Sequence, residues 1–406
     1  MKILFISLGC DKNLADSEEM LGLLTGSGHE IVDSEEEAEA IVINTCCFIH
    51  DAKEESVNTI LEMAEYKKTG KCKALVVTGC MAQRYKEEIT QEIPEVDAVL
   101  GTTSYGDIVK ALNEVQAGHV FQEFRDINEL PEDSGRRVLT TGGHFGYLKI
   151  AEGCDKHCTY CIIPSLRGSF RSVPEERLLA QAEYMASQGV KELILVAQET
   201  TVYGTDLYGR KTLHILLKKL CQIRGIRWIR VLYCYPEEIY DELIQVMKEE
   251  KKICNYLDLP IQHASDRILK RMGRRTTRKQ LTDIITKLRR EIPDIVLRTS
   301  LITGFPGETQ EDHEELMEFV DEMEFDRLGV FTYSPEEGTP AETMEGQVPE
   351  EVKEERRDEI MSLQQEISLE KGNERIGQEL LVMIEGKVSG ESAYIGRTYA
   401  DAPKVD

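Results

Sequence analysis

The first third of the chain alternates short apolar runs with longer amphipathic stretches. Three apolar runs have the length and the Val, Ile and Leu content of buried parallel strands, and they lie at residues 3–8, 40–43 and 74–77. Helical patterns separate these runs. One opens near Asp16 or Ser17, either of which is a suitable N-cap, and another covers about residues 51–66. This βαβ rhythm predicts a parallel α/β sheet.

A second series of strand and helix patterns follows a polar, Gly-containing stretch at residues 126–143, which we interpret as a linker. Six further apolar runs are separated by helical patterns and lie at residues 146–150, 193–197, 228–232, 256–260, 295–301 and 328–331. Such a series predicts about six βα units that form a partial barrel. A charged helical stretch then leads to strand-like runs at residues 380–384 and 393–395.

These patterns predict an α/β fold with several segments along the chain. In order they are an N-terminal sheet domain (1–125), a linker (126–143), a barrel domain (144–345), a helical connector (346–374) and the start of an antiparallel β domain (375–406). No apolar segment approaches the roughly 18 residues of a membrane helix. We therefore expect a cytoplasmic protein that makes no contact with a membrane.

The charge and cysteine content narrow the range of partners and compartments. The chain has 49 basic and 74 acidic residues, and its net charge is −25. Such a surface favours basic partners over polyanions, although a local basic patch is enough to bind nucleic acid. The 11 cysteines are odd in number and spread over 406 residues. They do not fit the disulfide framework of a small secreted protein, and they indicate metal or cluster ligands in a reducing compartment.

Three cysteines are closely spaced at residues 153–161, which read Gly-Cys-Asp-Lys-His-Cys-Thr-Tyr-Cys. We call Cys154, Cys158 and Cys161 the loop cysteines. Their spacing can wrap one face of a 4Fe–4S cluster and leaves one iron open to another ligand. A zinc knuckle and three buried structural thiols are the alternatives. Zinc needs a fourth ligand within short reach, and His157 is badly placed for that role.

Three other cysteines follow the first three predicted strands. We call Cys10, Cys46 and Cys80 the sheet cysteines. The carboxyl ends of parallel strands meet at one edge of a sheet, which is where ligands bind in open α/β sheets. The sheet cysteines can therefore converge on one site, and buried packing is the alternative. Cys47 adjoins Cys46, and position alone does not decide which of the two is a ligand.

Together these motifs resemble the methylthiotransferases of the radical S-adenosylmethionine (SAM) superfamily, over essentially the whole chain. Besides the loop-cysteine stretch, the matching segments are Leu-Gly-Cys-Asp-Lys-Asn-Leu at 8–14, Asp-Ser-Glu at 16–18, Asn-Thr-Cys at 44–46 and Thr-Gly-Cys at 78–80. The resemblance implies an N-terminal methylthiotransferase domain, a radical SAM (β/α)6 partial barrel and the start of a TRAM domain. The TRAM resemblance ends early at Asp406, and because a partial β barrel leaves an open edge we expect the sequence to be truncated.

The resemblance also implies cofactors. One 4Fe–4S cluster on the loop cysteines would bind SAM, and a second, auxiliary cluster on the sheet cysteines would handle the sulfur. The Asn-Thr-Cys motif assigns the ligand to Cys46. Cys47 stands where the family commonly has glycine, and we interpret it as a packing residue. We interpret four further cysteines in the same way, namely Cys72, Cys221, Cys234 and Cys254.

Six residues match positions where the family contacts SAM. They are Tyr160, Gln198, Arg298, Ser300, Gly304 and Gly307. Tyr160 would pack near the adenine, and the Gly-Phe-Pro-Gly-Glu run at 304–308 would let backbone approach it. A strand-end polar residue is the alternative for Gln198, and a plain turn is the alternative for the glycines. His263 follows a barrel strand and is either a ligand-facing or a surface histidine. No catalytic residue is singled out.

Within the family, several stretches look most like the enzymes that modify the twelfth small-subunit ribosomal protein. They lie at residues 150–154, 161–168, 197–200 and 399–403, with Asp-Lys-Asn at 11–13 where tRNA-modifying relatives usually have Gln-Met-Asn. The resemblance implies insertion of a methylthio group at the β-carbon of an aspartate, a basic ribosomal protein as partner and an external electron donor. A tRNA adenosine methylthiotransferase and a non-catalytic iron–sulfur protein are the alternatives. The acidic chain makes tRNA the less favoured substrate, since phosphate contacts come largely from Lys and Arg.

Overall fold

A computed structural model describes residues 1–132 and 135–405 of the chain. The described strands, in chain order, are β1 (Lys2–Ser7), β2 (Glu30–Val32), β3 (Ala40–Thr45), β4 (Ala74–Gly79), β5 (Ala98–Leu100), β6 (Phe121–Glu123), β7 (Phe145–Lys149), β8 (Ala151–Glu152), β9 (Arg171–Ser172), β10 (Glu192–Val196), β11 (Trp228–Val231), β12 (Ile253–Asp258), β13 (Val296–Thr303), β14 (Arg327–Thr332), β15 (Met383–Lys387) and β16 (Tyr394–Arg397).

The described α-helices are α1 (Asp11–Gly26), α2 (His50–Thr69), α3 (Cys80–Glu92), α4 (Ile108–Gln116), α5 (Ile163–Arg167), α6 (Glu175–Ser187), α7 (Thr205–Tyr208), α8 (Leu213–Cys221), α9 (Asp241–Glu249), α10 (Asp266–Arg271), α11 (Arg278–Glu291), α12 (Gln310–Met323) and α13 (Glu350–Glu374). Short 3-10 turns occur at Tyr105–Asp107, Pro236–Glu238 and Pro340–Thr343. In the part of the chain that the structure covers, no helix combines the length and the apolar character needed to cross a membrane.

The chain divides into two units. The first consists of Met1–Thr140, Ala151–Asp155 and Cys161–Val173, and the second consists of Thr141–Ile150, Lys156–Tyr160 and Pro174–Asp406. The loop-cysteine stretch therefore contributes residues to both units: Cys154 and Cys161 belong to the first and Cys158 to the second. Each unit is described separately below.

The first unit contains a six-stranded parallel sheet with the order β2-β1-β3-β4-β5-β6. The two-residue repeat of its central strands sends Ile41 and Ile43 into the core on one face of the sheet and Ala40 and Val42 into the core on the other. Burial on both faces explains why β3 reads as a continuous apolar run. The predicted parallel sheet is confirmed, and the sequence pattern missed β2, β5 and β6, which have three residues each.

The start of α1 was predicted wrongly. The helix begins at Asp11 with Cys10 as its N-cap residue, whereas the predicted caps were Asp16 and Ser17. Asp16 and Ser17 instead lie inside the helix and are buried. The carboxylate of Asp16 binds the buried guanidinium of Arg167, and the hydroxyl of Ser17 accepts a hydrogen bond from Asn44 Nδ2 at 2.9 Å. Tertiary partners therefore outweigh the capping preference of these two residues.

The described part of the predicted linker at 126–143 packs against α1. Arg137 is buried, and its guanidinium pairs with the carboxylate of Glu18 at 2.6 Å. Thr140 donates to the same carboxylate through its backbone N–H at 2.7 Å and through its hydroxyl. This part of the predicted linker is therefore held against α1 by a buried ion pair.

The second unit contains a six-stranded parallel sheet with the order β14-β13-β12-β11-β10-β7. Neighbouring strands in this order are consecutive along the unit, and helices lie between them in the sequence. This arrangement confirms the predicted series of βα units. β15 and β16 form a separate antiparallel pair near the end of the chain, as predicted for residues 375–406.

A buried ion network connects this sheet to β15 and β16. The side chains of Glu192 on β10 and Arg230 on β11 are fully buried, and Arg230 Nε donates to Glu192 Oε1 at 2.8 Å. The guanidinium of Arg397 on β16 binds the second oxygen of the same carboxylate. Arg397 also pairs with Glu385 on β15 at 2.7 Å. The antiparallel pair is therefore tied to the six-stranded sheet of this unit through one oxygen of the Glu192 carboxylate, while Arg230 binds the other oxygen.

Candidate active site

The sheet cysteines lie at the carboxyl ends of three neighbouring strands. Cys10 follows β1 and caps α1, Cys46 follows β3, and Cys80 follows β4 as the first residue of α3. A Cβ added to Gly9 would lie 2.7 Å from Cys46 Cβ, which shows how closely the β1 and β3 turns approach. The same Cβ would lie 3.0 Å from Cys46 Sγ, and Cys80 Sγ lies 3.9 Å from the side-chain oxygen of Asn13. The structure thus places the three predicted residues after three neighbouring strands of one sheet.

These thiols form a donor set made of sulfur. Burial, followed by the neighbouring Cys80, raises the pKa of Cys46 to about 12. Burial also raises the pKa of Cys80, and the guanidinium of Arg167 opposes that rise. Within residues 1–132 and 135–405, no three or more His, Cys, Asp or Glu side chains are gathered for a single metal ion. Three cysteine thiols at one sheet edge fit the ligand chemistry of an iron–sulfur cluster.

Arg167 lies beside this site with its side chain buried. Its Nη2 is 2.5 Å from Asn13 Oδ1 and 3.6 Å from Cys80 Sγ, and its Nη1 is 2.8 Å from Asp16 Oδ2. Asn13 in turn donates through Nδ2 to the carbonyl of Thr45 at 2.9 Å. The guanidinium is therefore linked to the ends of the strands that carry the cysteines.

Cys47 lies in the apolar core of the first unit. It is fully buried, and its cluster of neighbours includes Ile43, Ile60 and Met63. Its carbonyl accepts a hydrogen bond from Arg84 Nη1 at 3.3 Å. The thiol also interacts electrostatically with Cys80, so the assignment of the ligand to Cys46 stays a prediction.

In the first unit, the ends of the loop-cysteine stretch are held by a short hairpin of β8 and β9. The backbone N–H of Cys154 donates to the carbonyl of Gly168 at 3.1 Å. Gly153 before it has a φ of +75°, and a Cβ there would lie 2.1 Å from the carbonyl oxygen of Ser169. Glycine is therefore required for the tight approach that places Cys154. Cys161 lies just before α5.

In the second unit, Cys158 and Tyr160 lie on a segment that is fixed by backbone hydrogen bonds. Thr159 donates to the carbonyl of Met272 at 2.9 Å and accepts from the N–H of Ala341 at 2.9 Å. Tyr160 packs edge-on against Phe305, with ring centroids 6.3 Å apart. Phe305 belongs to the Gly-Phe-Pro-Gly-Glu run, so two of the motifs predicted to contact SAM meet in this unit.

Near Cys158 lies a group of charged residues that the sequence reasoning missed. Cys158 Sγ is 3.9 Å from the hydroxyl of Tyr235, and the guanidinium of Arg274 stacks 4.3 Å above the Tyr235 ring. Lys156 binds Glu238 and lies 3.7 Å from Glu199 Oε2. Burial raises the pKa of Glu199 to about 7. These residues are far apart in sequence and carry no recognisable spacing.

Arg298 and Ser300 lie side by side on β13. Arg298 Nη1 donates to Ser300 Oγ at 3.0 Å and to Asp258 Oδ1 at 2.8 Å. The other oxygen of Asp258 accepts from the backbone N–H of Tyr233 at 3.0 Å. Tyr233 has a φ of +59°, and Gln262, which follows β12, has a φ of +72°. Strained non-glycine backbone of this kind is concentrated at functional sites.

The Gly-Phe-Pro-Gly-Glu run has a structural reason for both glycines. Gly304 has a φ of +69°, and a Cβ there would lie 2.1 Å from Lys353 Cγ. Gly307 has a φ of +84°, and a Cβ would lie 3.0 Å from the guanidinium of Arg271. Both positions therefore need glycine in this unit without reference to a ligand. Their role towards adenine stays a prediction.

The surface position considered for His263 is wrong. Its side chain is fully buried, Nδ1 accepts from the backbone N–H of Ser265 at 3.0 Å, and Nε2 lies 3.5 Å from Glu308 Oε2. Glu308 also accepts from Arg356 Nη1 at 2.8 Å. Because Glu308 is the last residue of the Gly-Phe-Pro-Gly-Glu run, the imidazole of His263 packs against that loop.

Several buried polar atoms of the second unit lack a hydrogen-bond partner among the described residues. They include Gln198 Oε1, Glu199 Oε2, Glu237 Oε2, Arg274 Nε and Arg274 Nη1. A buried polar group without a partner costs about 1–3 kcal/mol, so such groups commonly mark the place of a ligand. SAM carries an ammonium group, a carboxylate and ribose hydroxyls, which match carboxylate, amide and guanidinium partners. The residues present therefore fit this cosubstrate.

Two protein families match parts of the chain. Residues 2–101 match the family described as uncharacterized protein family UPF0004, and residues 148–320 match the radical SAM superfamily.

Curated proteins match the chain over its whole length. It is 64% identical over 406 residues to the ribosomal protein uS12 methylthiotransferase RimO of Lachnoclostridium phytofermentans, covering 100% of this chain and 92% of that protein. It is 51% identical over 406 residues to the protein of the same name from Clostridium perfringens, covering 100% and 91%. The corresponding identity to the protein of that name from Acetivibrio thermocellus is 52% over 412 residues, covering 100% and 91%.

Solved structures resemble the fold at low identity. The radical SAM methyltransferase TsrM from Kitasatospora setae has a TM-score of 0.59 and 13% identity, covering 84% of this chain and 75% of that chain. The cobalamin-dependent SAM radical enzyme OxsB has a TM-score of 0.56 and 13% identity, covering 91% and 56%. These similarities confirm the α/β fold class.

Proposed function

Because the chain belongs to the radical SAM methylthiotransferases of the RimO group, we propose that it inserts a methylthio group at the β-carbon of an aspartate in ribosomal protein uS12. The observation that supports this proposal is the position of Cys10, Cys46 and Cys80 after three neighbouring strands of the first-unit sheet. Reductive cleavage of SAM requires one cluster. The transfer of sulfur would use a second cluster, which the sheet cysteines would hold.

We infer that the loop cysteines hold a 4Fe–4S cluster that binds SAM and that the sheet cysteines hold an auxiliary 4Fe–4S cluster. No side chain removes hydrogen from an unactivated carbon by acid–base chemistry, so a cofactor must supply that step. When bound, these groups supply the radical that removes the hydrogen and the methylthio group that replaces it. The chain's own residues bind, orient and shield the reactants.

Several residues of the second unit would bind SAM. Tyr160 would pack near the adenine, as its edge-on contact with Phe305 supports. Gln198 would use its buried Oε1, which has no hydrogen-bond partner among the described residues. Arg298 is fixed by Asp258 at 2.8 Å and by Ser300 at 3.0 Å, so its guanidinium is held in one orientation, and it would face a carboxylate or hydroxyl of SAM. Ser300, Gly304 and Gly307 complete the set proposed for SAM.

The charge of the chain supports a basic protein substrate. The net charge is −25, and ribosomal proteins are generally basic because they bind RNA. A tRNA substrate would instead present a dense row of phosphates to this acidic surface. We propose that the protein acts in the cytoplasm, where ribosomal proteins are available, with an external electron donor.

The decisive experiment incubates anaerobically reconstituted protein with SAM, a reductant and either uS12 or tRNA, followed by mass spectrometry of both. We expect a methylthio group on one aspartate of uS12 and no modified adenosine in tRNA. The variant with all three loop cysteines replaced by Ala is the control and should leave both substrates unchanged. Methylthioadenosine in tRNA with unmodified uS12 would replace this proposal by the tRNA alternative.

Binding of uS12 should also depend on salt. Attraction between exposed charges is screened over about 8 Å at physiological ionic strength, so the affinity should fall as salt is added. Titration calorimetry at several salt concentrations measures this dependence. An affinity for uS12 that does not change with salt would contradict the role given to the acidic surface.

A further inference from the structure

Arg167 occupies a position in the first unit that the proposed function does not use. Its guanidinium is buried and lies at the C-terminal end of α5, in the same unit as the sheet cysteines. It contacts two carboxylates, those of Asp16 and Glu152, at 2.8 and 3.3 Å. Both carboxylates are buried as well. Burying a cation with two anions has a desolvation cost, which is offset only where the ion pairs and hydrogen bonds have good geometry.

The contacts of Arg167 leave one edge of its Nη2 directed at sulfur. Nη1 faces Asp16 and Glu152, while Nη2 contacts Asn13 Oδ1 at 2.5 Å and Cys80 Sγ at 3.6 Å. The planar fork is therefore held by oxygen partners on several sides. With these bonds made, rotation of the guanidinium away from the cysteine would break several charge-assisted hydrogen bonds at once.

We propose that Arg167 is a positioning residue for the auxiliary cluster, donating a hydrogen bond to the Cys80 sulfur and offsetting the negative charge of the cysteine thiolates. The inference rests on the proposed function, because it requires a cluster on the sheet cysteines. Hydrogen bonds to sulfur and nearby positive charge both raise the reduction potential of iron–sulfur clusters. Arg167 should therefore keep this cluster easier to reduce and retain it more firmly.

The same residue joins this site to the stretch that carries the loop cysteines. Glu152 lies two positions before Cys154, and Arg167 lies six positions after Cys161. The Arg167–Glu152 pair closes the base of the hairpin formed by β8 and β9. Through Asn13, the guanidinium also reaches the carbonyl of Thr45, just before Cys46. Arg167 thus contacts Glu152 next to the loop-cysteine stretch, and it contacts Asn13 and Cys80 at the sheet cysteines.

The test uses protein in which all three loop cysteines are Ala, so that any remaining cluster belongs to the sheet cysteines. In this background, Arg167→Gln, Arg167→Lys and the matched control Arg137→Gln are reconstituted. Arg137 is also a buried arginine of the first unit paired with a carboxylate, that of Glu18 at 2.6 Å. The readouts are iron per chain, loss of iron to a chelator, and the midpoint potential followed by electron paramagnetic resonance.

We expect Arg167→Gln to shift the midpoint potential downward and to speed iron loss several-fold. Arg167→Lys should fall between Arg167→Gln and the background, because an ammonium keeps the charge without the planar fork. Arg137→Gln should keep the potential of the background even if its unfolding temperature drops. If Arg167→Gln does not fold, Arg167→Gln combined with Glu152→Gln removes the charge of one of the two carboxylates that Arg167 binds, and the double variant should still show the lower potential.

Two outcomes would overturn the inference, and they are distinguishable. If the background protein holds a cluster and every folded Arg167 variant keeps its potential, Arg167 has only a structural role. If the background protein holds no cluster, the auxiliary cluster itself is wrong, and the proposed function fails with it.

Discussion

Replacement of Glu199 by Gln should make the stability of the second unit less dependent on pH. The Glu199 side chain is 1% exposed, and its Oε1 accepts from the backbone N–H of Thr201 at 3.1 Å. Its Oε2 lies 3.7 Å from the ammonium of Lys156, which is already bound by Glu238. Burial is the main reason that the pKa of Glu199 rises from 4.5 to about 7, and Glu238 and Glu237 add to it.

The sign and size of the effect follow from this pKa. A carboxyl whose pKa is higher in the folded state binds its proton more tightly there. Its contribution to stability is complete below pH 4.5 and is lost as the pH rises through about 7. At about 1.4 kcal/mol per pKa unit, the rise from 4.5 to about 7 corresponds to about 3 kcal/mol in total. Gln carries no proton to lose, so the variant should lack this term.

The chain's single tryptophan provides the assay. Trp228 lies on β11, so its fluorescence reports unfolding of the second unit. Urea unfolding of the parent and of Glu199→Gln is compared at pH 5.5 and pH 8. Between pH 5.5 and pH 8, the free energy of unfolding of the variant should rise by roughly 2 kcal/mol relative to that of the parent.

Glu238→Gln is the matched control with the opposite sign. Although burial opposes it, hydrogen bonds from Lys156 and Lys211 lower the pKa of Glu238. Its contribution to stability is present above the unfolded pKa and is lost as the pH falls, so the control should lose stability at both pH values tested. Equal pH dependence of the parent and Glu199→Gln would refute the account of a buried, proton-retaining carboxyl.

Three further predictions concern the clusters and SAM. Replacing all three loop cysteines by Ala should roughly halve the iron measured after reconstitution and abolish the yield of 5′-deoxyadenosine, whereas copurified zinc without cluster absorption would contradict both clusters. Cys46→Ala should lose the auxiliary cluster and methylthio transfer but keep SAM cleavage, while Cys47→Ala should keep the full iron content; the reverse pattern would reassign the ligand. Asp258→Asn should weaken SAM binding about tenfold or more and leave the iron content unchanged, because Arg298 loses a charge-assisted hydrogen bond worth about 1.5–3 kcal/mol. Calorimetry with SAM measures this affinity. An unchanged affinity would exclude Arg298 from the SAM site.

The elements that the sequence predicts well are those whose signal is local. The run at β3 is apolar because both faces of the sheet are buried, and this information lies within the strand itself. The sheet cysteines are equally visible, because each follows such a strand and parallel strands share an edge. Strands of three residues, such as β2, carry no such signal, and their place depends on pairing with β1.

The features that the sequence hides depend on partners far along the chain. Asp16 has the sequence context of a helix cap, but its partner Arg167 lies 151 positions away and draws it into the interior of α1. Lys156 also has a distant partner, because Glu238 lies 82 positions away in the sequence. His263 has no local mark of burial, since its surroundings are completed by Glu308. Ion pairs of this kind are decided by the tertiary fold, and no periodicity reports them.

The Glu192–Arg230–Arg397 network has a consequence for how the second unit is made. Arg397 lies 205 positions after Glu192, so one oxygen of this buried carboxylate has no Arg397 to bind until that much more chain has been synthesised. At about 5–20 residues per second, the delay on the ribosome is roughly 10–40 s. During that interval Arg230 alone neutralises Glu192 inside a growing sheet. Completion of this unit is therefore a late event in translation, and nascent chains released before residue 397 would carry a core with an incompletely paired charge.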